Sequence, residues 1–168
     1  IRHIDVLDYF QRWYKLLYAN GFETMMTHLG WLYGAGFWLS NRRRRPGRSM
    51  VERMRLWFER GCLWRFGRFV EHTRPRLIVH THIIAPPIVG RMIESGRVDT
   101  RQFVCITDTF PHRWWYSEHV ERYFAAHEAA LGTLESWGVE RDRITVSGIP
   151  VLSKWDRPLD RDRIFDEW

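Results

Sequence analysis

Two stretches in the first half of the chain carry apolar residues at helical spacing. Residues 8–20 predict a helix whose apolar positions are Phe10, Trp13, Tyr14, Leu17 and Tyr18. Residues 1–7 are short and β-branched in character, and they predict a strand. Ser49 and Glu52 have the spacing of a capping box, so we expect a second helix from there to about Thr73.

The second half of the chain alternates short apolar runs with helical patterns. Strands are predicted over residues 76–81, 103–107, 122–126 and 144–148, and helices over residues 85–95 and 127–137. This alternation is typical of a parallel sheet with helices on both faces. We therefore expect one α/β domain over residues 1–152, followed by a polar, charged linker over residues 153–168.

Composition narrows the class of protein. Hydrophobic residues make up 45% and aromatic residues 15% of the 168 residues, which excludes a disordered or fibrous protein. Cys62 and Cys105 have neither a CxxC partner nor metal-site spacing, so we expect reduced thiols in a cytoplasmic protein. No run reaches the roughly 18 apolar residues of a membrane span, and no signal peptide is recognisable. If the protein contacts a membrane, we therefore expect it to lie on the membrane surface.

Positive charge is concentrated in the first half of the chain. The net charge is +6 overall, +9 over residues 1–84 and −3 over residues 85–168. Almost all of the excess lies between Arg42 and Arg76. A basic face attracts phosphates, whether of nucleic acid or of anionic lipid headgroups, so charge alone leaves both partners open.

An aromatic stretch directly precedes the most basic segment. Residues 22–39 are rich in aromatic, Leu and Met residues and are interrupted by glycines, and four arginines follow at residues 42–45. Aromatic rings beside a basic cluster are typical of a segment at the bilayer interface. We predict membrane contact by Trp31, Phe37, Trp38, Arg42, Arg43, Arg44 and Arg45. The alternatives are a solvated basic loop and packing of the aromatic side chains in the core.

Candidate site residues follow the predicted strands. In a doubly wound sheet, ligands bind at the carboxyl ends of the strands. His82 follows one strand, Asp108, His112 and Trp115 follow the next, and residues 148–150 follow the last. A carboxylate, an imidazole and an indole so close together could bind hydroxyl groups, stack on a ring or transfer a proton. Alternatively, the aspartate caps a helix and the histidine beside tryptophan is simply packed.

His80 and His82 alternate along one predicted strand, so their side chains could share a face. The sequence offers no third ligand nearby, and we predict no metal site. His82 is also explained by a bond to a neighbouring loop.

Four segments occur in the order and spacing of a known family. They are Leu77–His82, the Thr-Asp pair at residues 107–108 followed by His112 and Trp115, Val120–Ala126, and Gly148–Val151. Together they resemble the amino-terminal domain of monogalactosyldiacylglycerol synthases and of bacterial processive diacylglycerol glucosyltransferases, from Ile4 to Val151. Two departures are mild: Thr109 replaces the usual Phe, and Glu121 replaces the usual Asp.

The resemblance implies the amino-terminal half of a GT-B glycosyltransferase, a Rossmann-like parallel sheet flanked by helices. In such enzymes two halves face each other across a cleft. The first receives diacylglycerol at the membrane, and the second binds the nucleotide sugar, usually a UDP-hexose. The resemblance also implies that this chain lacks the family's opening strand and glycine-rich loop, whose histidine is the usual candidate for the base. We therefore expect the catalytic residue upstream, no cofactor bound by this half, and no activity from this half alone.

The resemblance implies that His82, Asp108, His112 and Trp115 line the acceptor side of the cleft, and that Trp115 also contacts an anionic activator lipid. The expected partners are diacylglycerol and anionic lipids at the cytoplasmic face of a membrane, with peripheral attachment and no nucleic acid. Two alternatives stay open. One is a related GT-B transferase acting on a polyprenyl-linked peptidoglycan precursor, and the other is a non-catalytic basic module that binds nucleic acid.

Overall fold

A four-stranded parallel sheet forms the centre of the described structure. The computed structural model describes residues 2–11 and 61–151, with isolated positions at 15, 21, 24, 27–31, 34, 35, 41, 54 and 57. The strands are β1 (Leu77–His80), β2 (Arg101–Cys105), β3 (Arg122–Ala125) and β4 (Ile144–Val146). They lie side by side in chain order, and every neighbouring pair is parallel. The predicted α/β fold is confirmed.

The described α-helices are α1 (Trp64–Thr73), α2 (Ala85–Glu94) and α3 (Ala129–Ser136). Short 3-10 helices lie at Val6–Tyr9, Arg113–Trp115 and Arg141–Arg143. α1 ends at Arg74, which adopts the left-handed conformation at φ 41° and donates its N–H to the Val70 carbonyl. α2 begins with two prolines, because the first turn of a helix needs no N–H partner there. Gly138, at φ 94°, reverses the chain after α3.

All three helices pack against one face of the sheet. Val104, Tyr123 and Ile144 lie side by side on that face and are buried beneath α3 and the loop before β3. α1 and α2 share a second apolar cluster above the β1 end of the same face. On the opposite face Leu77 and Val79 are 43% and 56% exposed. On this opposite face, the expected cover is incomplete at β1, while Cys105 of β2 is buried.

The strand predicted over residues 1–7 is wrong where the structure describes it. Residues 2–5 are irregular, and Val6–Tyr9 forms a 3-10 helix. The Asp5 carboxylate accepts the Leu7 N–H at 2.8 Å. A side-chain acceptor two residues away offers the backbone a local alternative to sheet pairing, and this cap outweighs the β-branched composition.

The other first-half predictions are tested at few positions. The 3-10 helix occupies the first two positions of the helix predicted over residues 8–20, and Lys15 within that range is helical. The second predicted helix ends at Thr73 as expected, but a turn at Leu63 separates α1 from the helical residues before it. The predicted start of that helix and the linker over residues 153–168 lie outside the described residues.

Candidate functional site

The carboxyl edge of the sheet brings His82 and Asp108 together. They follow β1 and β2, which are parallel neighbours, so both lie at the same edge. The charge of Asp108 acts on the His82 imidazole, and so does that of Asp5, which precedes the first 3-10 helix. Asp5 and His82 also line one groove of about 660 Å³ beside β1. The sequence did not indicate Asp5, because only the packing of the amino-terminal segment beside β1 places it there.

His82 is half-buried, and its ring nitrogens have distinct roles. The Ile84 N–H donates to Nδ1 over 3.4 Å, which leaves the ring proton on Nε2 in the neutral form. Burial lowers the pKa of His82, and the carboxylates of Asp5 and Asp108 oppose that shift. Burial therefore favours the neutral form of this imidazole.

Asp108 is an exposed carboxylate held by a buried indole. The Trp115 Nε1–H donates to Asp108 Oδ2 at 2.7 Å. Trp115 is only 3% exposed and packs in the apolar cluster with Val120 and Tyr123. Most of its ring is therefore covered by protein, and its contribution to the edge is the N–H that orients the carboxylate.

His112 shapes the turn that delivers Trp115. It is 7% exposed, and its Nδ1 accepts the Trp114 N–H at 3.2 Å, so it caps the 3-10 helix. Its ring also meets the Trp114 ring edge to face, with centroids 4.8 Å apart. The capping function considered for Asp108 thus belongs to His112, and the Asp108 carboxylate stays exposed.

A buried polar network lies behind the site, and the sequence did not predict it. His80 is 5% exposed, and its Nε2 lies 2.9 Å from the side-chain amide of Gln102. The amide nitrogen of Gln102 also reaches the Pro86 carbonyl, and its oxygen accepts the Gly90 N–H, both at 3.2 Å. Burial lowers the pKa of His80 to about 4. The sequence does carry one signal of this network, because Gln102 is a polar residue within the apolar strand β2.

A second buried contact fixes the loop between β2 and β3. The Tyr123 hydroxyl donates to the Ser117 carbonyl and accepts the Ser117 N–H, both at 2.9 Å. The Ser117 hydroxyl donates to the Pro86 carbonyl at 3.3 Å, which ties the loop to α2. Burial raises the pKa of Tyr123 well above its usual value, so the hydroxyl stays protonated.

The two departures from the family pattern lie in different places. Thr109 is exposed beside Phe110, whose side chain is 72% exposed on the loop that carries Asp108. Glu121 precedes β3 at the opposite, amino edge, where it pairs with Arg101. The glutamate substitution is thus remote from the carboxyl edge.

The predicted membrane-contact residues are only partly described. Trp31 is 74% exposed, which excludes core packing for this residue. Phe37, Trp38 and the arginines at residues 42–45 lie outside the described residues. Within the described part of the chain, no helix is long and apolar enough to cross a bilayer. The same part contains no group of three His, Cys, Asp or Glu side chains suited to a metal ion.

Comparison of the chain with sequence profiles of protein families shows the family to which it belongs. The sequence profile described as "Monogalactosyldiacylglycerol (MGDG) synthase" matches residues 1–151. The chain belongs to the MGDG synthase family. This membership confirms the resemblance carried by the segments that end β1, β2 and β4.

Similar proteins include processive diacylglycerol glucosyltransferases of bacteria. A "Processive diacylglycerol beta-glucosyltransferase" of Bacillus licheniformis is 26% identical over 106 residues, which cover 62% of this chain and 27% of that protein. Proteins of the same description from Bacillus cereus and Bacillus anthracis are 26% identical over 109 residues, or 61% of this chain and 27% of theirs. The chain spans about a quarter of the length of these relatives.

Proposed function

We propose that this chain is the acceptor-binding half of a glycosyltransferase that transfers a hexose from a UDP-sugar to diacylglycerol in glycolipid synthesis. One observation carries the proposal. The exposed Asp108 carboxylate is held by buried Trp115 at the carboxyl edge of the sheet, in a chain of the MGDG synthase family. The names of the relatives supply the acceptor, diacylglycerol.

The proposed role of the carboxyl edge of the sheet is to position the hydroxyl group of the acceptor. Asp108 accepts a hydrogen bond from that hydroxyl while Trp115 keeps the carboxylate in one orientation. His82, half-buried at the same edge, supplies an imidazole beside the acceptor. Glycosyl transfer also requires removal of the hydroxyl proton and stabilisation of the leaving diphosphate. We assign the base to a histidine upstream of this chain and the UDP-hexose to a second half, so this half alone is inactive.

The proposed site of action is the cytoplasmic face of a membrane, with peripheral attachment through anionic lipids. Exposed Trp31 and the charge of +9 over residues 1–84 support this placement. Cys62 and Cys105 are both buried, and neither forms a disulfide within the described residues, in keeping with a reducing compartment. Family membership favours diacylglycerol over a polyprenyl-linked peptidoglycan precursor and over nucleic acid.

The test is hexose transfer to diacylglycerol by the full polypeptide in which this domain is joined to a donor-binding half. Asp108→Asn is expected to lower kcat/KM at least about tenfold, because a hydrogen bond to a charged acceptor contributes about 1.5–3 kcal/mol. Asp142→Asn removes an exposed carboxylate just before β4, at the amino edge, and is expected to retain activity. Equal activity of Asp108→Asn and wild type, with both folded, excludes Asp108 from the site.

A further inference from the structure

Exposed side chains lie in α1 and at described positions before it. Met54, Trp57, Gly61, Trp64 and Arg68 are spaced three or four residues apart, and all of them are exposed. Met54 is 62%, Trp57 79% and Trp64 50% exposed. Burying such rings is worth far more than burying polar side chains, so leaving them in water is costly for a surface without a partner.

The two indoles share a groove with cationic side chains. Trp57 and Trp64 line a cavity of about 860 Å³ between α1 and α2, together with Arg68 and Arg91. The Arg68 guanidinium lies 5.9 Å from the centre of the Trp64 ring. We call Met54, Trp57, Trp64, Arg68 and Arg91 the tryptophan surface.

Two further charged groups of the groove belong to α2 and the loop after it. Arg97 is paired with Glu71 of α1 at 2.7 Å, so its charge is compensated within the domain. Glu94 is the carboxylate that lines the groove. Arg68 and Arg91 therefore leave an excess of one positive charge over Glu94 beside the rings, before any contribution from the basic first half of the chain.

The orientation of α1 suits contact with a flat partner. Phe66 and Val70 on its inner side are buried against α2, while Trp64 and Arg68 face outward on the same helix. The helix thus lies along the surface of the domain with an apolar core side and an outer side of indoles and guanidiniums. That outer side matches the headgroup layer of an anionic bilayer, where indole rings settle and arginines meet lipid phosphates.

We propose that the tryptophan surface docks on an anionic lipid bilayer. Trp57 and Trp64 enter the headgroup layer, and Arg68 and Arg91 contact lipid phosphates. A bilayer fits better than nucleic acid because Met54 extends the row with an aliphatic side chain that offers no ring for base stacking. The inference deepens the proposed function, on whose lipid acceptor it rests, by assigning membrane contact to the tryptophan surface.

The first experiment is flotation of the 168-residue chain with vesicles of phosphatidylcholine and phosphatidylglycerol, without sugar donor. The double variant Trp57→Ser/Trp64→Ser is expected to lower the vesicle partition coefficient about tenfold. Val151→Ser, which removes an exposed apolar side chain after β4, is expected to bind like wild type. Circular dichroism confirms folding, and Trp57→Ser alone is the fallback if the double variant unfolds.

The second experiment separates the charges from the rings. Arg68→Gln/Arg91→Gln is expected to lower binding to the anionic vesicles about tenfold, to a degree that shrinks with added salt. Arg122→Gln/Arg141→Gln makes the same charge change on exposed residues elsewhere and is expected to have a smaller effect. The proposal is overturned if the tryptophan variants bind like wild type, if both arginine pairs act equally, or if the chain retains an oligonucleotide but no vesicles. Because no transfer is measured, a negative result here leaves the Asp108 activity test independent.

Discussion

The indole N–H of Trp115 and the carboxylate of Asp108 are joined at 2.7 Å, with the donor buried and the acceptor exposed. Such a pair places a charged group at the edge of a sheet with little freedom to reorient. The turn that makes it possible is capped by His112 and closed by the bond from the Trp115 N–H to the His112 carbonyl at 3.0 Å. The histidine, the tryptophan and the aspartate therefore act as one positioning unit, and only the aspartate meets solvent.

Replacing Trp115 by phenylalanine tests this arrangement. Trp115→Phe keeps an aromatic ring in the core but removes the N–H, so in the full transferase we expect kcat/KM to fall about tenfold. In an Asp108→Asn background the same change is expected to cost little more, because its effect acts through the carboxylate. Trp137→Phe, in the same apolar cluster, is the matched control and should combine additively with Asp108→Asn. Additive losses for Trp115→Phe point to core packing alone.

The buried His80 predicts a loss of stability in mild acid. Its pKa is about 4 in the folded protein against an ordinary 6.5, so the unfolded chain binds the proton more readily between these values. The contribution of His80 to the free energy of unfolding is complete above pH 6.5. It is lost as the pH falls toward 4, by about 3 kcal/mol in all. Urea unfolding of the chain at a series of pH values measures this slope.

His80→Gln is expected to flatten that pH dependence, because glutamine does not titrate. The slope should shrink and not vanish, since the pKa of His82 is lowered in the same direction by burial. A wild-type slope in His80→Gln contradicts the assignment to His80.

The amide of Gln102 is predicted to couple β1 to β2 and α2. Gln102→Leu leaves the His80 nitrogen without its partner in a buried site, so we expect a loss of about 2 kcal/mol in unfolding free energy. The double variant His80→Leu/Gln102→Leu should lose less than the sum of the single losses, since both partners are then apolar. Chemical denaturation of the four proteins gives the coupling energy, and strict additivity argues against a hydrogen-bonded pair.

Gly90 is predicted to be required where α2 meets the loop before β3. A Cβ at this position lies 2.7 Å from the Ser117 Oγ, so Gly90→Ala is expected to cost about 1–3 kcal/mol. Adding Ser117→Ala removes the clashing oxygen and should recover part of that loss. Gly67→Ala in α1 is the control, because its nearest neighbour is Met92 Sδ at 3.8 Å and alanine favours the helix. Thermal unfolding distinguishes these outcomes, and equal losses at both glycines contradict the clash.

The sequence pattern predicted the four strands of the sheet closely, but its prediction for residues 2–9 was wrong. The strands of the second half lie within two residues of their predicted bounds, because short apolar runs between helical patterns have few other structures available. Residues 2–9 have a similar apolar composition but follow the bond from the Leu7 N–H to Asp5. One local side-chain acceptor thus decided the conformation against the propensity of its neighbours.

By itself, the sequence predicted a parallel sheet and hence that His82 and Asp108 share one edge, because parallel strands carry their carboxyl ends to the same side. The order of the strands came from the structure. Only the tertiary structure decided that His112 and Trp115 are buried and Asp108 is exposed, since burial depends on which distant element covers a side chain. It also decided that His80 meets Gln102 and not His82. His80 and Gln102 are 22 positions apart in the sequence and become neighbours only when β1 pairs with β2.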